Sequence, residues 1–96
     1  MVEIRQTNDY AKWFEKLRDP QARARILVRV RRLSLGNPGD VRSVGDGVSE
    51  MRIDYGPGYR VYFTWQGDVI VVLLIGGDKR TQQRDIEKAK TLAKQL

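Results

Sequence analysis

Basic side chains at Arg52 and Arg60 fall on the same face of two neighbouring predicted strands. Tyr62 shares that face, because side chains two residues apart in a strand point the same way. Lys79 and Arg80 follow the next predicted strand, so all five side chains can converge on one side of a sheet. Converging cations of this kind favour a phosphate group as the ligand, for example in the backbone of a nucleic acid.

A phosphate site built in this way is also able to promote RNA cleavage. Cations that stabilise charge on the phosphorus oxygens, while the ribose 2′-hydroxyl is oriented towards the phosphodiester, lower the barrier to cleavage. Glu50 is the nearest carboxylate for the role of general base, and Lys79 is an alternative only if its surroundings make its amine less basic. The other interpretation of Arg52 and Arg60 is that they are ordinary surface residues, with Asp54 as the salt-bridge partner of Arg60.

Three further arginines lie on a predicted helix. Arg25, Arg29 and Arg32 follow the i, i+4, i+7 spacing of one helix face, and we call them the helix strip. The strip is expected to be exposed. It serves solubility, or it contacts nucleic acid or the acidic residues of a partner.

The first third of the chain predicts a short strand followed by a helical hairpin. Residues 2–6 alternate between apolar and polar side chains, as a strand at the edge of a sheet or beside its apolar strand does. Thr7 or Asn8 can cap a first helix, and Asp19 followed by Pro20 marks the start of a second. The large aromatic residues expected in the core are Tyr10, Trp13, Phe14 and Trp65.

The stretch over residues 48–76 predicts an antiparallel meander of three strands. A loop of three residues, 56–58, would join the first two strands and place Asp54 opposite Arg60. The third strand, residues 69–75, is apolar on both faces. This pattern indicates an interior strand that is covered by helices on one side and by loops or a partner on the other.

The remaining elements complete the predicted fold. Residues 41–44 are a candidate for another short strand, and Thr81 can cap a last helix. The inner face of that helix is expected to carry Ile86, Ala89, Leu92, Ala93 and Leu96. The sequence therefore predicts an α+β fold: a small twisted antiparallel sheet in the order β-α-α-β-meander-α, backed by the helical hairpin and a C-terminal helix.

Composition excludes several kinds of site. The 96 residues contain no cysteine and no histidine, so disulfides, thiol catalysis and the usual zinc sites are excluded, and neither a metal nor a cofactor is expected. Eighteen Lys and Arg against twelve Asp and Glu give a net charge of +6, which favours acidic partners. We expect one domain over residues 1–96 in the cytoplasm, because neither a signal peptide nor a membrane-spanning segment is evident.

Several motifs taken together resemble a known family. They are the segment EMRIDYGPGYRVYF, the segment VIVVLLIGGDKRTQ, a closing helix DIEKAKTLAKQL, and an earlier helix with a Trp-Phe pair that precedes a GNPGD turn. In these respects the chain is similar to the RelE/ParE superfamily of bacterial toxins, and within it to the HigB-like, phage Gp49-related group of addiction-module killer proteins. The resemblance extends over essentially the whole chain and implies a RelE-like fold.

This resemblance implies the toxin of a type II toxin–antitoxin system, acting as a metal-independent, ribosome-dependent mRNA endonuclease that inhibits translation. The implied partners are an antitoxin protein and mRNA on the ribosome, with a toxin–antitoxin complex that binds DNA through the antitoxin. Arg60 matches the family arginine that contacts the scissile phosphate, and Arg52 matches the basic position on the preceding strand. Lys79 or Arg80 matches the basic residue that supports the transition state.

The chain departs from the RelE and HigB patterns at several positions. Val48 and Glu50 stand where RelE-type enzymes carry lysines, and residues 84–86 lack the tyrosine of those enzymes. The histidines of HigB-type enzymes are missing as well. The resemblance therefore supports the phosphate-binding half of the mechanism. Two alternatives stay open: a ParE-like inhibitor of DNA gyrase, and a non-catalytic module that binds nucleic acid or an antitoxin.

Overall fold

Five strands form one mixed sheet, and three helices pack on it; the computed structural model describes all of residues 1–96. The strands are β1 (Glu3–Gln6), β2 (Val41–Gly45), β3 (Val48–Ile53), β4 (Tyr59–Gln66) and β5 (Ile70–Gly77). The helices are α1 (Asn8–Glu15), α2 (Pro20–Ser34) and α3 (Gln82–Lys94), the last preceded by a 3₁₀ turn over Lys79–Thr81.

The strand order in the sheet is β1-β5-β4-β3-β2. The edge strand β1 runs parallel to β5, and every other neighbouring pair is antiparallel. The predicted α+β fold and the extra strand at residues 41–44 are therefore confirmed. The sheet is mixed rather than wholly antiparallel because β1 pairs in parallel with β5, at the opposite edge of the sheet from β2.

The two helices of the hairpin begin at the predicted caps. The Thr7 hydroxyl accepts a hydrogen bond from the amide of Tyr10, and the Asp19 carboxylate accepts from two amides in the first turn of α2. Pro20 occupies the first helical position, where an amide proton is not needed. Each cap satisfies amides that have no partner within the helix, and so fixes where α1 and α2 begin.

The last helix is reached through the 3₁₀ turn. The Asp78 carboxylate accepts a hydrogen bond from the amide of Arg80, and the Thr81 hydroxyl accepts one from the amide of Asp78. Thr81 donates its own hydroxyl proton to Asp85, one turn into α3. The predicted start of the helix is confirmed, but Thr81 makes no side-chain cap for α3, and Asp78 caps the preceding turn.

The β3–β4 hairpin has a longer loop than the sequence predicted. Residues 54–58 form the loop, and Arg52 rather than Asp54 lies opposite Arg60. A register change of two residues preserves the face of every side chain, because strand side chains alternate with a period of two. The predicted site residues therefore still lie on one face of the sheet, but the predicted partner of Arg60 was wrong.

Helices cover both faces of the sheet. On one face α1 and α2 pack around a cluster that includes Tyr10 and Ile26, and on the other α3 packs around a cluster that includes Tyr62 and Ala89. The sequence predicted loops or a partner over the second face, and this was wrong. The face that carries the predicted site residues is consequently closed by α3 over much of its area.

Two residues expected in the core lie at the surface. Trp65 is 44% exposed, and Leu96 is 54% exposed. Tyr10 is buried as predicted, and Trp13 and Phe14 are partly buried against the same cluster. None of the three helices is both long and apolar enough to cross a lipid bilayer.

Candidate functional site

Arg52 and Arg60 lie directly opposite each other on β3 and β4, with both side chains on the face that α3 covers. Two like charges in a directly opposed pair destabilise a sheet unless another group neutralises them. Arg60 is only 8% exposed, so water does little to screen its charge. A pair of this kind needs a counter-ion close by.

Glu50 supplies that counter-ion, although no part of it reaches solvent. The Nε of Arg52 donates a hydrogen bond to Glu50 Oε1 at 2.9 Å. The Tyr62 hydroxyl and the side-chain amide of Gln82, from α3, each donate to Oε2 at 2.9 Å. Glu50 thus joins β3, β4 and α3 at one buried point. We use the name Glu50 cluster for these residues and their neighbouring arginine: Glu50, Arg52, Arg60, Tyr62 and Gln82.

One negative charge faces several positive charges in this cluster. The Nε atoms of Arg42 and Arg60 each lie 3.8 Å from a Glu50 oxygen, in addition to the closer Nε of Arg52. Three guanidinium groups therefore share one carboxylate, which leaves a local excess of positive charge. This excess is available to an anionic ligand wherever the cluster is open to solvent.

The Glu50 carboxylate is held in its ionised form. Burial opposes ionisation, but the hydrogen bonds from Gln82, Arg52 and Tyr62 outweigh it and lower the pKa of Glu50 below its usual value. Burial, with the hydrogen bond to Glu50, raises the pKa of Tyr62, so the hydroxyl remains a donor. A buried carboxylate with a lowered pKa and bonded oxygens is a poor general base. The predicted role of Glu50 as the base does not fit this geometry, and its position fits that of a residue that orients the arginines.

A cleft of about 450 Å³ opens at the end of the Glu50 cluster. Its cationic side chains are Arg52, Arg60 and Lys79, and the loop between β3 and β4 forms another wall. We call it the arginine cleft. The Nη1 of Arg60 donates to the Gly58 carbonyl at 2.7 Å, which aims the guanidinium along that wall. The Nε of Arg60 is buried and has no acceptor within hydrogen-bond distance in the protein.

Gly58 is required by this geometry for two reasons. Its φ of +79° lies in the left-handed region, which side chains disfavour. A Cβ at this position would also come within 3.1 Å of Arg60 Nη1 and 3.5 Å of Lys79 Cβ. The glycine that precedes the Tyr-Arg pair in the sequence therefore leaves room for both cations.

The turn after β5 separates the two predicted basic residues, Lys79 and Arg80. Lys79 lines the arginine cleft, and its amide donates to the Pro57 carbonyl at 3.4 Å. Arg80 does not line the cleft; its side chain is 82% exposed and pairs with Asp78 at 3.2 Å. Of the two, Lys79 is the residue that can reach a phosphate held by Arg60.

Comparison with known proteins gives a family for this chain. Residues 12–96 match the family described as phage derived protein Gp49-like (DUF891). The chain belongs to the Gp49-like family. This family is part of the RelE toxin-like superfamily, and its members are commonly the toxins of toxin–antitoxin pairs. The matched range contains the whole Glu50 cluster and the arginine cleft.

A relative in Haemophilus influenzae is similar along nearly its whole length. It is described as an uncharacterized protein and is 50% identical to this chain over 95 residues, which cover 99% of this chain and 96% of the relative. At this identity the two chains share the Gp49-like fold.

Two predicted RNA-contacting groups of this Gp49-like protein are placed away from the arginine cleft. Tyr62 is fully buried beneath α3, so it holds Glu50 and presents no surface to a ligand. The helix strip lies on the other face of the sheet, because α2 packs against the opposite cluster. Within the strip, Arg25 stacks over the ring of Tyr55 at 4.6 Å.

Arg29 of the helix strip has a structural role. Its guanidinium donates to the carbonyls of Arg52, Pro38 and Asp40, which ties α2 to β3 and to the turn before β2. Arg32 is exposed and has no carboxylate within 4 Å. The strip is therefore one structural arginine between two surface cations; it does not line the arginine cleft but adjoins it, because Ile53 and Asp54 line both surfaces.

Sequence reasoning missed Gln82 and the carboxylates at the rim of the cleft. Gln82 is 32 residues from its partner Glu50, and nothing in the local pattern connects the two. Asp54, in the loop of residues 54–58, and Asp40, just before β2, both line the cleft. One sequence feature pointed to these contacts: Glu50 is a charged residue on a covered face of a strand, and a buried charge needs polar partners.

Proposed function

We propose that this Gp49-like protein is a HigB-like toxin of a type II toxin–antitoxin pair, and that it arrests translation by cleaving mRNA on the ribosome. The opposed pair of Arg52 and Arg60 carries the proposal, because it concentrates positive charge at a cleft that a ligand can enter. Charge-assisted hydrogen bonds from guanidinium groups suit a phosphodiester well. The partners are the antitoxin and mRNA on the ribosome, and the complex with the antitoxin binds DNA through that protein.

In the proposed reaction the scissile phosphate lies between Arg60, Arg52 and Lys79. The ribose 2′-oxygen attacks phosphorus, its proton passes to water, and the bond from phosphorus to the 5′-oxygen breaks as that oxygen gains a proton. The three cations stabilise the additional charge on the phosphorus oxygens in the transition state. Glu50 acts as a positioning residue, because it fixes the guanidinium of Arg52 and keeps that of Arg60 beside it.

A second candidate function is inhibition of DNA gyrase, in the manner of ParE-like proteins. One observation favours it: Glu50, the carboxylate predicted to be the base, is buried and fully hydrogen-bonded. A fold with a cationic cleft in which Glu50 is not free to act as a base also suits a toxin that binds a protein target. The two candidates differ in what accumulates in cells: cleaved mRNA in the first, broken DNA in the second.

Replacing Lys79 and replacing Arg80 test the proposal as a matched pair. Both residues are exposed and adjacent, but only Lys79 lines the arginine cleft. We expect Lys79→Ala to lower cleavage of translated mRNA by a factor of about 100, the usual cost of one transition-state cation. Arg80→Ala removes an exposed ion pair, which contributes little, and should stay within about threefold of the wild type.

Cells that express each variant provide the measurement, with mapped mRNA 5′ ends and DNA breaks recorded together. Equal loss in both variants would mean that bulk charge, and not the cleft, governs activity. Accumulation of DNA breaks with intact mRNA would overturn the proposed function in favour of the gyrase target.

A further inference from the structure

A second cationic groove lies between α1 and α3, over the end of β5. It is lined by Lys12 on α1, by Lys16 at the C-cap of α1, and by Arg84 and Lys88 on α3, with Trp13 as a wall. Its volume is about 580 Å³, similar to that of the arginine cleft. Nothing described so far uses this groove, which we call the α1–α3 groove.

The cations occupy corresponding positions on the two helices. Lys12 on α1 and Lys16 at its C-cap are four residues apart, as are Arg84 and Lys88 on α3. Residues at this spacing lie on one face of a helix. Each helix therefore turns two positive charges towards the same groove, so that a chain of negative charges lying in it meets cations on both sides.

The carboxylates of the groove do not cancel these charges. Asp9 pairs with Lys88 at 3.4 Å, and Asp85 lies 3.9 Å from Arg84. Asp85 is only 6% exposed and accepts a hydrogen bond from the Thr81 hydroxyl, so its carboxylate faces the protein interior. Lys12 and Lys16 have no carboxylate within 4 Å. Four cations against two carboxylates leave a net charge of +2 in the groove.

The indole of Trp13 packs directly on the backbone of Gly76 at the base of the groove. Gly76 lies beneath the indole of Trp13, and a Cβ there would come within 2.2 Å of the ring. The indole also makes an edge contact with Tyr59, the neighbour of Arg60 in the sequence, with ring centroids 6.5 Å apart. Packing on two sides fixes this wall, so the groove is a defined part of the fold.

The α1–α3 groove and the arginine cleft are consecutive along the chain. Lys79 lines the cleft and Arg84 lines the groove, and only the 3₁₀ turn and the first residues of α3 separate them. Five residues of helical or 3₁₀ backbone span on the order of 10 Å. The two sites are therefore close enough for one polyanion to reach both.

From these observations we propose that the α1–α3 groove binds the phosphodiester backbone of single-stranded RNA next to the segment held in the arginine cleft. That the bound polymer is RNA rests on the proposed function. The ligand class follows from the groove itself: cations on two walls and a net positive charge suit a linear series of phosphates.

Salt dependence of RNA binding tests the groove. The probe is a fluorescein-labelled uridine 12-mer, and its affinity for the full chain is measured by anisotropy at several salt concentrations. The test variant is the double substitution Lys12→Gln/Lys16→Gln, and the matched control is Arg18→Gln/Arg31→Gln, which removes two exposed cations outside the groove and the cleft. All four residues are exposed, so both variants should fold.

We expect the groove variant to lower the slope of log affinity against log salt by about 1.4, which is about 0.7 for each lost phosphate contact. The control should leave the slope unchanged. An unchanged slope in the groove variant, or an equal fall in the control, overturns the proposal. It is also overturned if the uridine 12-mer fails to bind while a labelled glutamate 12-mer binds in a manner that depends on Lys12 and Lys16, because the groove would then serve an acidic protein.

Cleavage on ribosomes is scored separately, which keeps the two proposals distinct. Intact cleavage together with an unchanged slope in the groove variant overturns the groove alone. RNA binding that depends on the groove, with no cleavage of translated mRNA by the wild type, overturns the proposed function alone.

Discussion

Glu50 is ionised although it is completely buried, because donors from three elements satisfy its oxygens. A buried charge is tolerated only with such partners. This arrangement allows Arg52 and Arg60 to lie side by side, although two opposed like charges without a counter-ion would destabilise the strand pair. At the scale of single residues, the site is therefore one carboxylate that makes a repulsive pair of cations possible.

Substitution of Glu50 by glutamine should destabilise the fold. Glu50→Gln keeps the shape of the side chain but removes the charge and presents an amide group to donors, so we expect a loss of about 3 kcal/mol in the free energy of unfolding. Urea denaturation at neutral pH measures it. Tyr62→Phe, which removes one donor and leaves the charge, is the matched control and should cost about 1 to 3 kcal/mol. A Glu50→Gln variant as stable as the wild type would contradict the central position of this carboxylate.

The same variant should change the pH dependence of stability. The pKa of Glu50 is lower in the folded protein than its ordinary value of 4.5, so its contribution to stability is present above that value and is lost as the pH falls through the folded pKa. In the acid range the free energy of unfolding should therefore rise less steeply with pH in Glu50→Gln than in the wild type. Identical slopes below pH 4.5 would contradict the lowered pKa.

At the scale of elements, β5 and α1 meet through an unusually close contact. The sequence Gly76-Gly77 looks like a break after the apolar run, yet β5 continues through both residues. A Cβ at Gly76 would overlap the indole of Trp13, and a Cβ at Gly77 would lie 1.8 Å from a carboxylate oxygen of Asp85. The two glycines therefore let α1 and α3 approach the same strand from its two faces.

Gly76→Ala should accordingly destabilise the protein through Trp13. We expect a cost of about 1 to 3 kcal/mol from overpacking. Trp13→Ala should cost roughly 3 kcal/mol or more, since it removes a large aromatic side chain from the packed surface of α1. In a double-mutant cycle followed by thermal denaturation, Gly76→Ala should cost almost nothing once Trp13 is alanine. Additive changes in the free energy of unfolding would show that the cost of Gly76→Ala does not come from its contact with Trp13.

Local patterns were sufficient to predict the elements and the faces of their side chains. The caps at Thr7 and Asp19 and the alternation along β3 and β4 depend on residues close in sequence, and these predictions are confirmed. The register was wrong by two residues because loop length is set by the fit of the whole hairpin, and both registers keep the same faces. The hydrogen bond from Gln82 of α3 to Glu50 could not be predicted, because the two residues are 32 positions apart and meet only through the packing of α3 on the sheet.

At the scale of the whole molecule, positive charge is distributed over three surfaces, and Ile53 and Asp54 line both the surface of the helix strip and the arginine cleft. The helix strip lies on one face of the sheet, while the arginine cleft and the α1–α3 groove lie on either side of the turn after β5. The molecule measures 33 × 28 × 23 Å, so one RNA strand is able to reach both the cleft and the groove. The net charge of +6 also favours rapid encounter with a polyanion such as RNA or an acidic antitoxin.

The proposed reaction requires Arg60 to bind the scissile phosphate of mRNA. The single-turnover rate of cleavage of a reporter mRNA on translating ribosomes, compared for the wild type, Arg60→Lys and Arg60→Ala, tests this requirement. Because Arg60 is buried beside Glu50, the folded fraction of each variant is determined first by thermal denaturation. We expect Arg60→Ala to cleave at least about 100-fold more slowly and Arg60→Lys to retain part of the rate through its charge. Folded Arg60→Ala that cleaves at the wild-type rate would contradict the proposed reaction.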